Sequence, residues 1–180
     1  HSCALLADGR VFCWGKAVDG QLGNGLGSQE SFATPIEVTE VGEASALSAG
    51  GAHTCAVNAA SGDVWCWGNN KLFQLGSSKP NEVGPLEILP KHGPNQPTVQ
   101  ISAGSTHTCA RGAYGVECWG DNAKGQLGIG AFPTLTPLPT KVEGSGFAQA
   151  EDVEAGGAHT CARLPNGKMA CWGSNSNGQL

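Results

Sequence analysis

The hydrophobic pattern of this chain is one of short runs broken by turn residues. His1-Ser-Cys-Ala-Leu-Leu and Val11-Phe-Cys-Trp14 flank Ala7-Asp8-Gly9. Two apolar, β-branched or aromatic runs around a Gly-containing turn predict a β-hairpin. The same landmarks then recur in order. His-x-Cys-Ala opens at His1, His53, His107 and His159; Cys-Trp-Gly follows at Cys13, Cys66, Cys118 and Cys171; Gln-Leu follows at Gln21, Gln74, Gln126 and Gln179. The His-to-His steps are 52, 54 and 52 residues. A period near fifty built from short β-like runs is the pattern of a blade-type repeat, because helical solenoid units are usually shorter and carry a 3.6-residue periodicity.

Each unit supplies four such runs. After the hairpin comes a polar turn (Lys16–Gly20, Asn69–Phe73, Asp121–Gly125, Ser174–Gly178) in which Asn and Gly suit left-handed backbone. Unit two departs from the pattern, with Phe73 where the other units have Gly. A variable stretch follows, and Pro35, Pro85 and Pro137 then introduce short extended runs expected to be edge strands, where the missing N–H costs nothing. Leu47-Ser-Ala-Gly50, Ile101-Ser-Ala-Gly104 and Val153-Glu-Ala-Gly156 lead back to the next His, with small residues that fit an inner strand crowded near an axis. Four strands are the content of one propeller blade. The expectation is an all-β, partial β-propeller over residues 1–180, an open arc of about three four-stranded blades plus a terminal hairpin. Its repeat units are residues 1–52, 53–106, 107–158 and a shortened 159–180.

The cysteines sharpen this picture. Cys3 and Cys13 are ten residues apart, Cys55 and Cys66 eleven, Cys109 and Cys118 nine, and Cys161 and Cys171 ten. If each pair sits directly opposed across its hairpin, only the loop has to vary: three residues at Ala7-Asp8-Gly9 and Pro165-Asn166-Gly167, four at Ala59–Gly62, two at Ala113-Tyr114. Opposed residues of an antiparallel pair lie about 4.5–5.5 Å apart at Cα, a span that a disulfide closes. Each unit is therefore expected to carry its own cross-strand disulfide, which points to an oxidising, extracytoplasmic compartment. A His-Cys-Cys metal site is the alternative, since residues i and i+2 share a strand face. Structural zinc usually draws on Cys-x-x-Cys pairs, and these are absent. The expectation is no metal and no cofactor.

Composition and charge narrow the partners. Gly is 28 of 180 residues, about double its usual share, and it recurs beside Trp and Leu as turn chemistry. Trp14, Trp67, Trp119 and Trp172 hold one repeat position, a packing role. The net charge is −5 and the ten Lys and Arg are scattered singly, which argues against a nucleic-acid partner. No apolar run approaches the roughly 20 residues of a membrane span. The chain begins and stops inside a repeat, which predicts an origin within a longer array. The repeated His residues read as hydrogen-bonding groups that fix each blade, since active sites are unique constellations. His92 is the one His outside the repeat and falls in a Gly/Pro-rich loop where it is expected to be solvated; Glu151, Asp152 and Glu154 read as a solvated acidic face. No matched nucleophile, base and acid stands out, and the chain is read as no enzyme.

Ala-Gly-x-x-His-Thr-Cys-Ala followed by Gly-x-Val-x-Cys-Trp-Gly-x-Asn-x-x-Gly-Gln-Leu-Gly resembles the regulator of chromosome condensation repeat, whose members form seven-bladed β-propellers. The resemblance covers the whole chain, and Cys in place of the more usual apolar or small residues resembles the exported bacterial branch. Seven such units need roughly twice the residues present. The resemblance implies protein binding through loops on a propeller face. Eukaryotic members exchange guanine nucleotide on a small nuclear GTPase and dock on nucleosomes, and a bacterial secreted member blocks β-lactamases. The expectation is a non-enzymatic interaction scaffold in an exported or cell-surface protein, with a guanine-nucleotide exchange factor and a secreted enzyme inhibitor as alternatives. The protein partner is unidentified; its contacts are expected from Gly25–Phe32, Ser77–Val83, Lys91–Asn95 and Ile129–Thr134, stretches equally readable as tolerant surface.

Overall fold

The structure, a computed structural model, describes residues 1–26, 31–79, 81–88, 92, 95–130 and 134–180. Fourteen strands and one short 3-10 turn make up its regular structure. They form four antiparallel sheets. The first holds β1 (Ser2–Leu5), β2 (Val11–Lys16) and β3 (Ser31–Val38); the second β4 (Ala44–Ala49), β5 (His53–Asn58), β6 (Val64–Gly68) and β7 (Glu82–Glu87). The third holds β8 (Thr98–Ala103), β9 (His107–Gly112), β10 (Gly115–Asp121) and β11 (Leu135–Lys141); the fourth β12 (Asp152–Ala155), β13 (His159–Arg163) and β14 (Met169–Gly173). Fourteen strands equal three four-stranded units plus a hairpin. The sheets are nevertheless phased one strand earlier than the His-to-His repeat, so that the run before each His is the first strand of the sheet that contains that His. The sheets do not close on themselves, and the molecule is an open arc of blades.

Hairpin geometry follows the loop lengths. Leu6 N–H donates to Arg10 C=O and Leu164 N–H to Lys168 C=O, closing three-residue loops; Asn58 N–H donates to Asp63 C=O around four residues. Gly112 pairs with Gly115 around the two-residue loop. The register consequently opposes Cys3 to Cys13, Cys55 to Cys66, Cys109 to Cys118 and Cys161 to Cys171. All four pairs are disulfides, each with Cα atoms 4.1 Å apart.

The third and fourth strands correct one expectation. Pro35, Pro85 and Pro137 do not start the outer strands but lie inside them, because β3, β7 and β11 begin four, three and two residues earlier. Each strand has a register shift against its inner neighbour, between Cys13 and Gly15, Cys66 and Gly68, and Cys118 and Gly120. The irregularity releases the ladder where Pro offers no N–H, and the outward edge of the strand asks for none.

The core lies between sheets. Leu22, Val41 and Trp67 fill the first interface, Leu75, Ile88, Ile101 and Trp119 the second, and Leu127, Val142, Val153 and Trp172 the third. Trp67 and Trp119 are fully buried, whereas Trp14 and Trp172, at the two ends of the arc, are half-buried. The Gly that closes Gln-Leu-Gly packs against the next unit's indole. A Cβ on Gly76, whose φ is +79°, would stand 2.7 Å from Ile88 Cγ2 and 2.9 Å from Trp119 Nε1. Both the left-handed backbone and the close approach require glycine there.

Candidate functional site

The repeated polar residues converge between blades. His53 Nε2 lies 2.8 Å from Thr108 Oγ1 in the next sheet, and Thr108 Oγ1 donates to the Gln74 carbonyl at 2.7 Å. Trp119 Nε1 donates to that same carbonyl at 3.0 Å. The arrangement repeats with His1, Thr54, Gln21 and Trp67, and with His107, Thr160, Gln126 and Trp172. A carbonyl only accepts, so the Thr hydroxyl spends its one proton on Gln and must accept from the imidazole. The geometry thus assigns the Nε2–H tautomer to each bridging His. Nδ1 of His53 and of His107 is then a bare lone pair, buried without a hydrogen-bond partner. Burial, and secondarily the neighbouring His107, pushes the His53 pKa down to about 3. Burial also lowers His107 to about 4, with Asp121 opposing and His159 assisting. These imidazoles are neutral struts that clasp one blade to the next.

The Gln side chains close their own turns. Gln21, Gln74, Gln126 and Gln179 each accept, at Oε1, the N–H two residues back. Asn70, Asn122 and Asn175 accept the N–H of Leu75, Leu127 and Leu180. Phe73 is, among the described residues, the one non-Gly residue with positive φ, at 61°. Gly20, Gly125 and Gly178 occupy that turn position elsewhere with φ of 75–80°. Holding Phe left-handed costs on the order of 1 kcal/mol.

One polar cluster outside the repeat went unread in the sequence. His92 is not solvated: its Nε2 lies 3.0 Å from Glu117 Oε2, and its ring stacks 3.6 Å from the Tyr114 ring. Tyr114 sits at the hairpin tip of the third sheet, bonds Thr98 Oγ1 at 3.0 Å, and has its pKa pushed up to about 12, chiefly by burial. The adjoining cavity is about 20 Å³, room for one water and not for a substrate. A larger groove of about 560 Å³ beside the second hairpin tip has Asp63 as its one carboxylate among the described lining residues. A hydrolase of the paired-carboxylate type needs two. The acidic run is also tied down. Asp152 and Glu154 accept from Gln100 and Ser102 of the neighbouring blade, and Glu151 pairs with Arg163. The inner strands abut there, so Asp152 and Glu154 meet donors across the interface, while Glu151 and Glu154 remain exposed to solvent as the sequence predicts.

The stretches expected to bind a partner are partly described. Gly27–Glu30, Pro80, Lys91, Gly93, Pro94 and Ala131–Pro133 lie outside the described residues. Phe32 belongs to β3 and Val83 to β7, so the first two stretches end in strand. Among the described residues, no group of three His, Cys, Asp or Glu side chains is placed to hold a metal, and no helix is long and apolar enough to cross a membrane.

This geometry has known counterparts. The Regulator of chromosome condensation (RCC1) repeat matches residues 8–57, 61–111 and 117–163, and a second RCC1 repeat description matches residues 44–74 and 150–179. The chain belongs to the RCC1 repeat family. It is 33% identical over 187 residues to probable E3 ubiquitin-protein ligase HERC6 of Homo sapiens, and 31% identical over 182 residues to the ultraviolet-B receptor UVR8 of Arabidopsis thaliana. Both matches cover 100% of this chain, which spans 18% of HERC6 and 41% of UVR8. Among solved structures, Prp20p of Saccharomyces cerevisiae superposes with a TM-score of 0.81 at 24% identity, over 99% of this chain and 44% of that one. In this chain the His-Thr-Gln-Trp clasp joins one sheet to the next.

Proposed function

We propose that this RCC1-type arc is a disulfide-stapled, non-enzymatic protein-interaction scaffold of an exported or cell-surface protein, which grips a protein partner through its non-repeating loops. The observation that carries the reading is how the repeated chemistry is spent. Except for His159 in the last sheet, the repeated His, Thr, Gln and Asn side chains are engaged in the clasp or in their own turns, and the repeated Cys are engaged in disulfides. The chemistry left to face a partner is what differs between units, and that lies in the loops between β2 and β3, β6 and β7, and β10 and β11. Prp20p, of the same fold, is described by its binding to Gsp1p and histones. Four disulfides support an oxidising compartment. The exchange-factor alternative would pair the arc with a reducing cytosol, where such bonds are rare.

Replacing the described parts of these loops with Gly and Ser tests the reading. The expected result is loss of the partner recovered by cross-linking from the native compartment, with an unchanged melting temperature. Retention of that partner would contradict it. Addition of the chain to a small GTPase loaded with fluorescent GDP is expected to leave nucleotide release at its basal rate; acceleration would favour the exchange-factor reading.

A further inference from the structure

The two ends of the blades differ in charge. At the end where the Cys-Trp-Gly strand of each of the first three sheets (β2, β6, β10) runs into the outer strand (β3, β7, β11), the exposed ionic side chains among the described residues are Lys16, Lys71, Lys79 and Lys124. The acids of that end are turned inward. Asp19 accepts from Asn69 Nδ2, Asp121 accepts from Ala123 N–H and Thr106, and Glu82 is half-buried. The opposite, hairpin-tip end is mixed: exposed Asp8, Glu43 and Glu151 stand there among exposed Arg10, Arg163 and Lys168. A chain of net charge −5 therefore presents one locally cationic face.

The same face offers apolar anchors. Val18 and Leu26 are each 53% exposed. Phe73 stands half-buried in its left-handed turn, where Gly closes the other units. The anchors belong to one surface, because Asn69 bonds Asp19 and Gly25 N–H donates to Val83 C=O across the joint between the first two blades. We propose that this joint is a docking surface for an acidic protein segment that also carries apolar side chains: Val18, Leu26 and Phe73 receive the apolar groups, and the lysine ring receives the carboxylates. Charge complementarity selects the occupant. Nucleic acid is disfavoured, because the lysines come one or two to a blade and no Arg joins them among the described residues, whereas a phosphate backbone is met by clustered cations. The inference rests on the scaffold reading and names the kind of partner.

The probe is peptide display. Random peptides are selected on the intact, oxidised chain and measured individually by fluorescence anisotropy. Enriched peptides are expected to be net negative with at least one aromatic or aliphatic residue, and their affinity is expected to drop as salt rises. The combined K16E, K71E and K124E variant is expected to weaken them by about tenfold or more. Phe73→Gly, which retains the turn that the other units form with Gly, is expected to weaken them several-fold. The opposite-end variant E43K with E151K is expected to leave binding within about twofold, and every variant should melt cooperatively near the parent temperature. Selected peptides that bind the triple variant as well as the parent, or that respond only to E43K and E151K, would overturn this surface while leaving a scaffold in place. No peptide enriched on any face would count against both. Tighter binding of a duplex oligonucleotide than of any selected peptide would also overturn the inference.

Discussion

Thr108 shows how one hydroxyl organises a blade joint. It takes a proton from His53 and gives one to the Gln74 carbonyl, which also serves Trp119. Thr108→Val keeps the shape and strands a buried imidazole N–H. The expected loss is about 2–3 kcal/mol in urea unfolding, against a change within about 0.5 kcal/mol for Thr140→Val, whose side chain bonds only the nearby Leu138 carbonyl. The imidazoles also set a pH dependence. His53 and His107 hold pKa values of about 3 and about 4 in the folded chain, against about 6.5 for an unfolded His. Between those values the unfolded chain binds more protons, so stability falls as the pH drops below 6.5 and continues falling towards 3 to 4. Roughly 1–2 kcal/mol per imidazole is expected to go between pH 6.5 and pH 5. Melting curves across that range should show it, and the H53Q, H107Q double variant should flatten the dependence relative to the parent. An equally steep variant would remove the clasp from the explanation. The clasp was only half legible in sequence: a recurring His announces a repeated structural bond, but its acceptor lies about one blade away and the last link is a backbone carbonyl, which no side-chain pattern encodes. His92 was misread for a related reason, since its partners Tyr114 and Glu117 come from the next blade's hairpin.

At the scale of the element, the hairpin was the most legible unit because everything that fixes it lies within about ten residues. Loop length sets the register, and the register sets the Cys pairs. The outer strands were less legible. Pro reads as a beginning in sequence, yet Pro35 and Pro85 sit mid-strand because a bulge there removes the need for their N–H. Removing the central staple with C109A and C118A together is expected to cost about 2–3 kcal/mol in chemical denaturation by loop-entropy arithmetic, with the fold retained. Glycines separate by what they touch. Gly76→Ala meets Ile88 and Trp119, and is expected to cost more than about 2 kcal/mol. Gly25→Ala has nothing within 4 Å and should lose only about 1 kcal/mol of backbone strain energy, a contrast readable by thermal melting.

On the scale of the whole molecule, the arc divides its sequence between two tasks. Repeated residues build blades and fasten them, and non-repeated ones are left to the surface. That division explains why architecture could be read from spacing while the partner could not: a clasp is written several times in one chain, whereas a recognition surface is written once. The staples bear on the compartment as well as on the fold, for four cross-strand disulfides in register form and persist where thiols are oxidised.

The most direct test of this disulfide-stapled scaffold is a thiol count with peptide mapping on the protein taken from its native compartment, unfolded without reductant after alkylation of any free cysteine. Zero free thiols, with Cys3 linked to Cys13, Cys55 to Cys66, Cys109 to Cys118 and Cys161 to Cys171, is the expected result. Eight free thiols, or cross-links between blades, would contradict the stapled hairpins and the proposed extracytoplasmic setting together.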